Sequence, residues 1–230
     1  MIKLNLIKNA LIFFIVYIPP LIVFGKHWLK RERNKIILAI ISILYVVLCF
    51  HTQNIVPFLF VIYDIVYMRF TDEFYVFNIR RFNFFKCLKA AVFSYLVTIS
   101  ILLFERTIAS NLNFNLNNQQ IVTNMIDMSL KRVIFMVPLV VICAPVLEEF
   151  IFRWLFFEKI FKNRIGIYFS AILSSVIFSV VHFSLAASLV IFWIGIYNCY
   201  LIHKKGYWYA VFNHAFFNSI TMMIIISQKI

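Results

Sequence analysis

The sequence predicts an all-α, polytopic membrane protein, a bundle of about eight transmembrane helices. Three observations predict it. Of its 230 residues, 63% are hydrophobic and the mean hydropathy is +0.93, whereas a soluble chain holds roughly 45–50% apolar residues. Uncharged runs of roughly 15–20 residues recur along the whole length, each near what is needed to cross a hydrocarbon core of about 30 Å. The basic residues gather between those runs rather than within them.

The first run, near 10–25, contains Pro19-Pro20 and has no small-residue cleavage site, so it reads as a retained span and not as a signal peptide. The second, 36–50, is unbroken. The third, 55–68, carries Pro57 and Asp64 and is expected to be short or partly re-entrant. The fourth, 90–104, leads into the longest polar stretch, 105–131. Its asparagines (Asn111, Asn113, Asn115, Asn117, Asn118) suit an external loop. Four further runs follow at 133–150, 165–182, 188–202 and 207–226. The chain thus divides into an N-terminal transmembrane region, 1–132, and a C-terminal core, 133–230. The four cysteines lie in or beside apolar runs without the paired spacing of a zinc or redox site, so core packing accounts for them.

The net charge of +13 raises nucleic-acid binding, and the placement of the charges excludes it. The loops at 26–35, 69–89, 159–164 and 203–206 hold fifteen of the 22 basic residues. The alternate segments hold six: Lys3, Lys8, Arg106, Lys131, Arg132 and Lys229. Arg153 is left over, inside a span. Positive charge marks the cytoplasmic side of a membrane protein, so the loops rich in Lys and Arg are expected inside and both termini outside. The expected partner is membrane lipid, not nucleic acid.

Ionisable groups in hydrocarbon are costly and mark function. Three clusters stand out. In Glu148-Glu149-Phe150-Ile151-Phe152-Arg153, Glu149 and Arg153 are four apart and meet on one helix face. Glu148 points elsewhere without a local partner, as a general base would. Pro145 just before them is expected to bend the helix or to start it. The bland alternative is a charge group at the membrane boundary, close to Lys159 and Lys162. In the second cluster Phe178 and His182 share a face, where a histidine more often serves packing. In the third, His214 and Asn218 share a face beside Asn213; the alternative there is polar glue between helices. Two carboxylates, an arginine, two imidazoles and an amide in neighbouring spans can polarise a water and hold an oxyanion. They are expected to converge on one polar cavity. There is no His-Glu-x-x-His, no Gly-x-Ser-x-Gly and no membrane Asp pair, which argues against a zincin, a rhomboid-type serine protease and an aspartyl protease.

The ordered set Glu-Glu-x-x-x-Arg (Glu148 to Arg153), Phe-x-x-x-His (Phe178 to His182) and His-x-x-x-Asn (His214 to Asn218) resembles the intramembrane CAAX-prenyl-protease and bacteriocin-processing endopeptidases, the CPBP or Abi family. The stretch from Phe192 through Gly195 to Gly206 resembles that family's connecting segment. The resemblance covers 133–226 and leaves 1–132 without a family motif. It implies an eight-helix fold with a catalytic cavity open to the membrane interior and to the cytoplasmic side. Glu148 and His182 would activate the attacking water, His214 and Asn218 would hold the oxyanion, and Glu149 with Arg153 would brace the site. Members are often called metalloproteases, and Glu148, His182 and His214 could serve as ligands to a divalent metal such as zinc; the same three also suffice without one. The expected substrate is a membrane-associated peptide or protein, such as a peptide pheromone or bacteriocin precursor in a bacterial plasma membrane. The competing readings are a non-catalytic immunity or regulatory membrane protein and a transporter with a proton relay. The chain lacks the repeated broken helices that the transporter reading needs.

Overall fold

A computed structural model describes residues 2–31, 34–52, 54–70, 75–112 and 120–230. The Asn-rich run at 113–119 lies outside the described residues. No strand occurs among the described residues. The helices are α1 (Ile2–Ile12), α2 (Ile18–Arg31), α3 (Lys35–Thr52), α4 (Ile55–Phe70), α5 (Phe84–Asn111), α6 (Gln120–Asp127), α7 (Leu130–Pro138), α8 (Ala144–Glu149), α9 (Lys162–Val180), α10 (Ser188–Lys205) and α11 (Tyr207–Ser227). Wider π turns at Phe13–Tyr17, Leu139–Cys143 and Phe150–Phe161 join α1 to α2, α7 to α8 and α8 to α9.

Among the described residues five helical stretches are long and apolar enough to cross a membrane: Leu6–Arg31, Lys35–Thr52, Phe84–Asn111, Leu130–Val180 and Tyr207–Ser227. The fourth is 51 residues long and breaks at Gly166, where φ is 76° and glycine is the residue that adopts it without strain. It therefore makes two passes. With α4 and α10 the long helical stretches among the described residues number eight, as the hydropathy pattern predicts. The return pass, 167–180, is the shortest of them.

Prolines do not interrupt the spans. Pro19 and Pro20 come one residue after the π turn Phe13–Tyr17, and Pro145 comes one residue after the π turn Leu139–Cys143. A proline cannot donate to the carbonyl four residues back and crowds it. Bonding one residue further back, as Ile18 to Phe13 and Ala144 to Leu139, absorbs that mismatch within a continuous helix. Val140 O, five residues before Pro145, takes a side-chain donor instead, Asn218 Nδ2 at 2.8 Å, and Tyr45 Oη donates to Tyr17 O at 2.5 Å. The bend or start expected at Pro145 is thus a widened turn, and the helix runs on past Glu149. The Glu148–Arg153 cluster accordingly lies inside a continuous helical stretch, with Glu149 and Arg153 fully buried. α4 is likewise continuous rather than re-entrant, because Pro57 falls in its first turn, where no N–H is missed, and buried Asp64 is met by His27 Nδ1 at 3.2 Å.

One core unites the two halves of the chain. Val16, Val61, Ile65, Met68 and Phe77 pack with Leu147, Phe150, Phe178 and Tyr207. α9 and α10 approach closely at Gly195, where a Cβ would stand 2.8 Å from that of Ser175. The bundle has two chemically different ends. At one, Glu158 accepts from Lys162 Nζ (2.6 Å) and pairs with His203 Nδ1 (2.9 Å), while Trp208 Nε1 donates to Phe77 O (2.9 Å). This end carries the basic loops. At the other, Lys229 Nζ donates to Ile126 O (2.6 Å) and Met128 O (2.5 Å), and Lys8 Nζ lies 5.4 Å from the ring centroid of Phe183. Both terminal helices, α6 and the 181–187 connection meet there.

Candidate active site

Glu148 and Glu149 end the single α-turn element α8, held between two π turns, and they face different surroundings. Glu149 is fully buried. Its Oε1 accepts from His214 Nδ1 at 2.7 Å and from Asn198 Nδ2 at 3.0 Å, and its Oε2 lies 3.2 Å from Arg153 Nε. Asn198 Oδ1 accepts in turn from Asn213 Nδ2 at 2.8 Å. Arg153, equally buried, sets its guanidinium 3.9 Å from the ring centroid of Phe178. The same ring stands edge-on to His182 (4.6 Å) and His214 (5.8 Å). Phe178 is therefore the common wall of all three motifs.

Glu148 faces the cavity. Its Oε2 lies 3.7 Å from His214 Nε2 and 3.9 Å from His182 Nε2, and it has no hydrogen-bond partner among the described residues. The rings are fixed from behind. His182 Nδ1 is 2.7 Å from Phe178 O, and a carbonyl only accepts, so Nδ1 carries the hydrogen. His214 Nδ1 donates to Glu149. Each imidazole thereby turns Nε2 toward Glu148. Asn218 Nδ2 uses one of its two hydrogens on Val140 O.

Glu148, His182, His214 and Asn218 line a cavity of about 240 Å³. Met125, Met136, Leu139 and Met222 also line it, as do Thr52 and Asn54 of the N-terminal half. Asn54 Oδ1 accepts from Tyr17 Oη at 3.0 Å. Glu149, expected to line the cavity, sits behind His214 instead: its Oε1 accepts from His214 and Asn198, its Oε2 is ion-paired with Arg153, and full burial suits such a paired carboxylate. Sequence reasoning missed Asn198. Its signal was an amide in the apolar run of α10, which must find a partner in the bundle. Thr52 and Asn54 carried no signal, because their role comes from where α3 turns into α4.

Two imidazoles and a carboxylate resemble a metal-ligand set in kind, but the spacing of the trio is loose. Among the described residues no group of three or more His, Cys, Asp or Glu is placed to hold a metal ion. The groups that face one another there are a carboxylate, two imidazoles and the Asn218 amide.

Residues 130–220 match the family model described as Rce1-like, type II CAAX prenyl endopeptidase. The match takes in all six predicted site residues and agrees with the family that the motifs resemble. No curated protein and no solved structure matches the chain.

Proposed function

We propose that this multi-pass membrane protein is an intramembrane endopeptidase that hydrolyses a peptide bond of a membrane-associated peptide or protein. The observation that carries the reading is the unpartnered Glu148 Oε2 facing Nε2 of two imidazoles whose Nδ1 atoms are both engaged from behind.

Separations of 3.7 and 3.9 Å are too long for direct hydrogen bonds and invite a bridging water. Such a water donates one proton to Glu148 Oε2 and another to His182 Nε2. As it attacks the scissile carbonyl, Glu148 takes a proton and acts as general base. The carbonyl oxygen becomes an oxyanion, which the second N–H of Asn218 and His214, protonated at Nε2, stabilise. Glu149 holds His214 in orientation and balances its charge, and Arg153 offsets Glu149. Collapse of the intermediate passes the proton from Glu148 to the leaving amine.

Glu148→Gln tests the reading. It keeps shape and burial but removes the base, so turnover should fall by roughly 10² to 10⁴ while folded yield is kept. Peptides of cells carrying the unaltered chain are compared with those of cells carrying Glu148→Gln at matched expression. An uncut precursor accumulating with the variant supports the proposal. Identical peptide profiles reject proteolysis and favour a non-catalytic immunity or regulatory role.

A further inference from the structure

We propose that Asn54, in the N-terminal half of the chain, binds the substrate: its side-chain N–H donates to a main-chain carbonyl of the bound peptide, beside the one that is hydrolysed. Tyr17 holds the amide in position. The assignment rests on the peptidase reading above.

Asn54 directly precedes α4. An asparagine there ordinarily uses its side-chain oxygen to cap the helix. Asn34, Asn78 and Asn83 do so ahead of their own helical turns, accepting from the backbone N–H of Ile36 and Ile37 (both 3.1 Å), of Arg80 (3.0 Å) and of Lys86 (3.0 Å). At α4 the third helical residue is Pro57, which has no N–H to offer. Asn54 Oδ1 instead accepts from Tyr17 Oη at 3.0 Å. Tyr17 is held in turn, since its carbonyl accepts from Tyr45 Oη and its ring lies edge-on to Phe13 at 6.2 Å. The amide oxygen is thus fixed against the protein. Nδ2 keeps two hydrogens and has no hydrogen-bond partner among the described residues.

Asn54 lines the cavity together with Glu148, His182, His214 and Asn218. Tyr17 lies within electrostatic reach of Glu148, which places the amide close to the reacting centre. The other polar side chains of the lining are already engaged. Thr52 Oγ1 donates to Leu48 O (2.8 Å) and Thr221 Oγ1 to Phe217 O (3.1 Å). Glu148 accepts, and the imidazoles and Asn218 serve the attacking water and the oxyanion. Asn54 brings the remaining side-chain N–H. Much of the lining is apolar, Val122, Met125, Met136 and Leu139 included. A peptide entering it gives up water at its carbonyls, and a carbonyl left there without a donor is costly. Asn54 Nδ2 supplies that donor. Thr52, its own hydrogen used, can accept from a peptide N–H. The α3–α4 turn thereby offers both groups that an extended main chain needs. Such a contact reads the backbone and suits substrates of differing sequence.

The peptide that accumulates uncut in cells carrying Glu148→Gln is synthesised and used as the probe with purified protein. Asn54→Ala should raise KM about 2- to 10-fold, the worth of one neutral hydrogen bond, with kcat within about twofold. Asn54→Asp separates binding from structure. It keeps the size and the oxygen that Tyr17 bonds, and it exchanges the N–H for an acceptor. KM should rise at least as far as in Asn54→Ala, at an unchanged melting temperature. An unchanged KM in Asn54→Asp overturns the proposal. A fall in kcat at unchanged KM overturns it too, because it puts Asn54 on the oxyanion instead. Tyr17→Phe should raise KM less and add nothing on top of Asn54→Ala; an additive effect rejects Tyr17 as the positioning residue. If no peptide accumulates, the peptidase reading falls and this assignment with it. A peptide that accumulates, yet is cleaved with unchanged KM by both Asn54 variants, overturns the assignment and leaves the peptidase reading standing.

Discussion

Glu149 Oε1 accepts a 2.7 Å hydrogen bond from His214 Nδ1, joining a carboxylate in α8 to an imidazole 65 residues later in α11. Glu149 also carries Arg153 on its other oxygen and Asn198 beside the imidazole. Glu149→Gln removes the charge that both Arg153 and His214 require. Breaking one side of a buried pair costs about 3–5 kcal/mol. The expected outcome is a lower yield of folded protein and a lower melting temperature together with lost cleavage. A Glu149→Gln chain that melts normally yet does not cleave would mean that base and brace have been assigned to the wrong carboxylates.

Asn218→Ala should separate two jobs of one amide. Loss of an oxyanion donor lowers turnover by about 10²–10³. Loss of the bond to Val140 O leaves a carbonyl of the π turn without its donor, a cost of about 1–3 kcal/mol. Cleavage rate and thermal melting, measured on the same preparation, should therefore both move, the rate far more. A rate that falls only as far as the folded fraction falls would assign Asn218 to structure alone.

The fold and the site differ in how far the sequence exposed them. Hydropathy runs are local, so the eight passes and the polar residues within them were legible. The motif residues were legible because helical spacing of four places Glu149 with Arg153, Phe178 with His182 and His214 with Asn218 on shared faces. What was hidden depends on non-local geometry. Nothing in the order of residues puts Asn198 against Glu149, or Phe77 from a loop against Tyr207. The π turns before Pro19 and Pro145 were equally hidden, since a proline signals a disruption without saying whether the helix bends, begins or widens.

Chelation gives an independent check on the chemistry. The proposed water activation uses Glu148 and the imidazoles alone, so purified protein dialysed against a strong chelator should cleave at the rate of untreated protein, and added zinc should not raise it. Loss of activity on chelation, restored by zinc, would instead make Glu148, His182 and His214 ligands.

The return pass after Gly166 has a consequence for the lipid around it. Residues 167–180 span only about 21 Å at 1.5 Å per residue, whereas the hydrocarbon layer is about 30 Å thick. Exposed Tyr168, Phe169, Val176 and Val180 give this helix an outward apolar face, so acyl chains must meet it along its length. Such a mismatch is relieved by pinching the bilayer beside the helix, at a modest cost for each ångström. The pinch falls where α9 ends, one turn from His182, and it lowers the water surface toward Glu148. The hydrolysis proposed at Glu148 needs a supply of water, and a helix too short for its membrane would bring the water down. Reconstitution in lipids of increasing chain length checks this through the cleavage rate: thicker bilayers should slow hydrolysis, and a rate indifferent to thickness would contradict it.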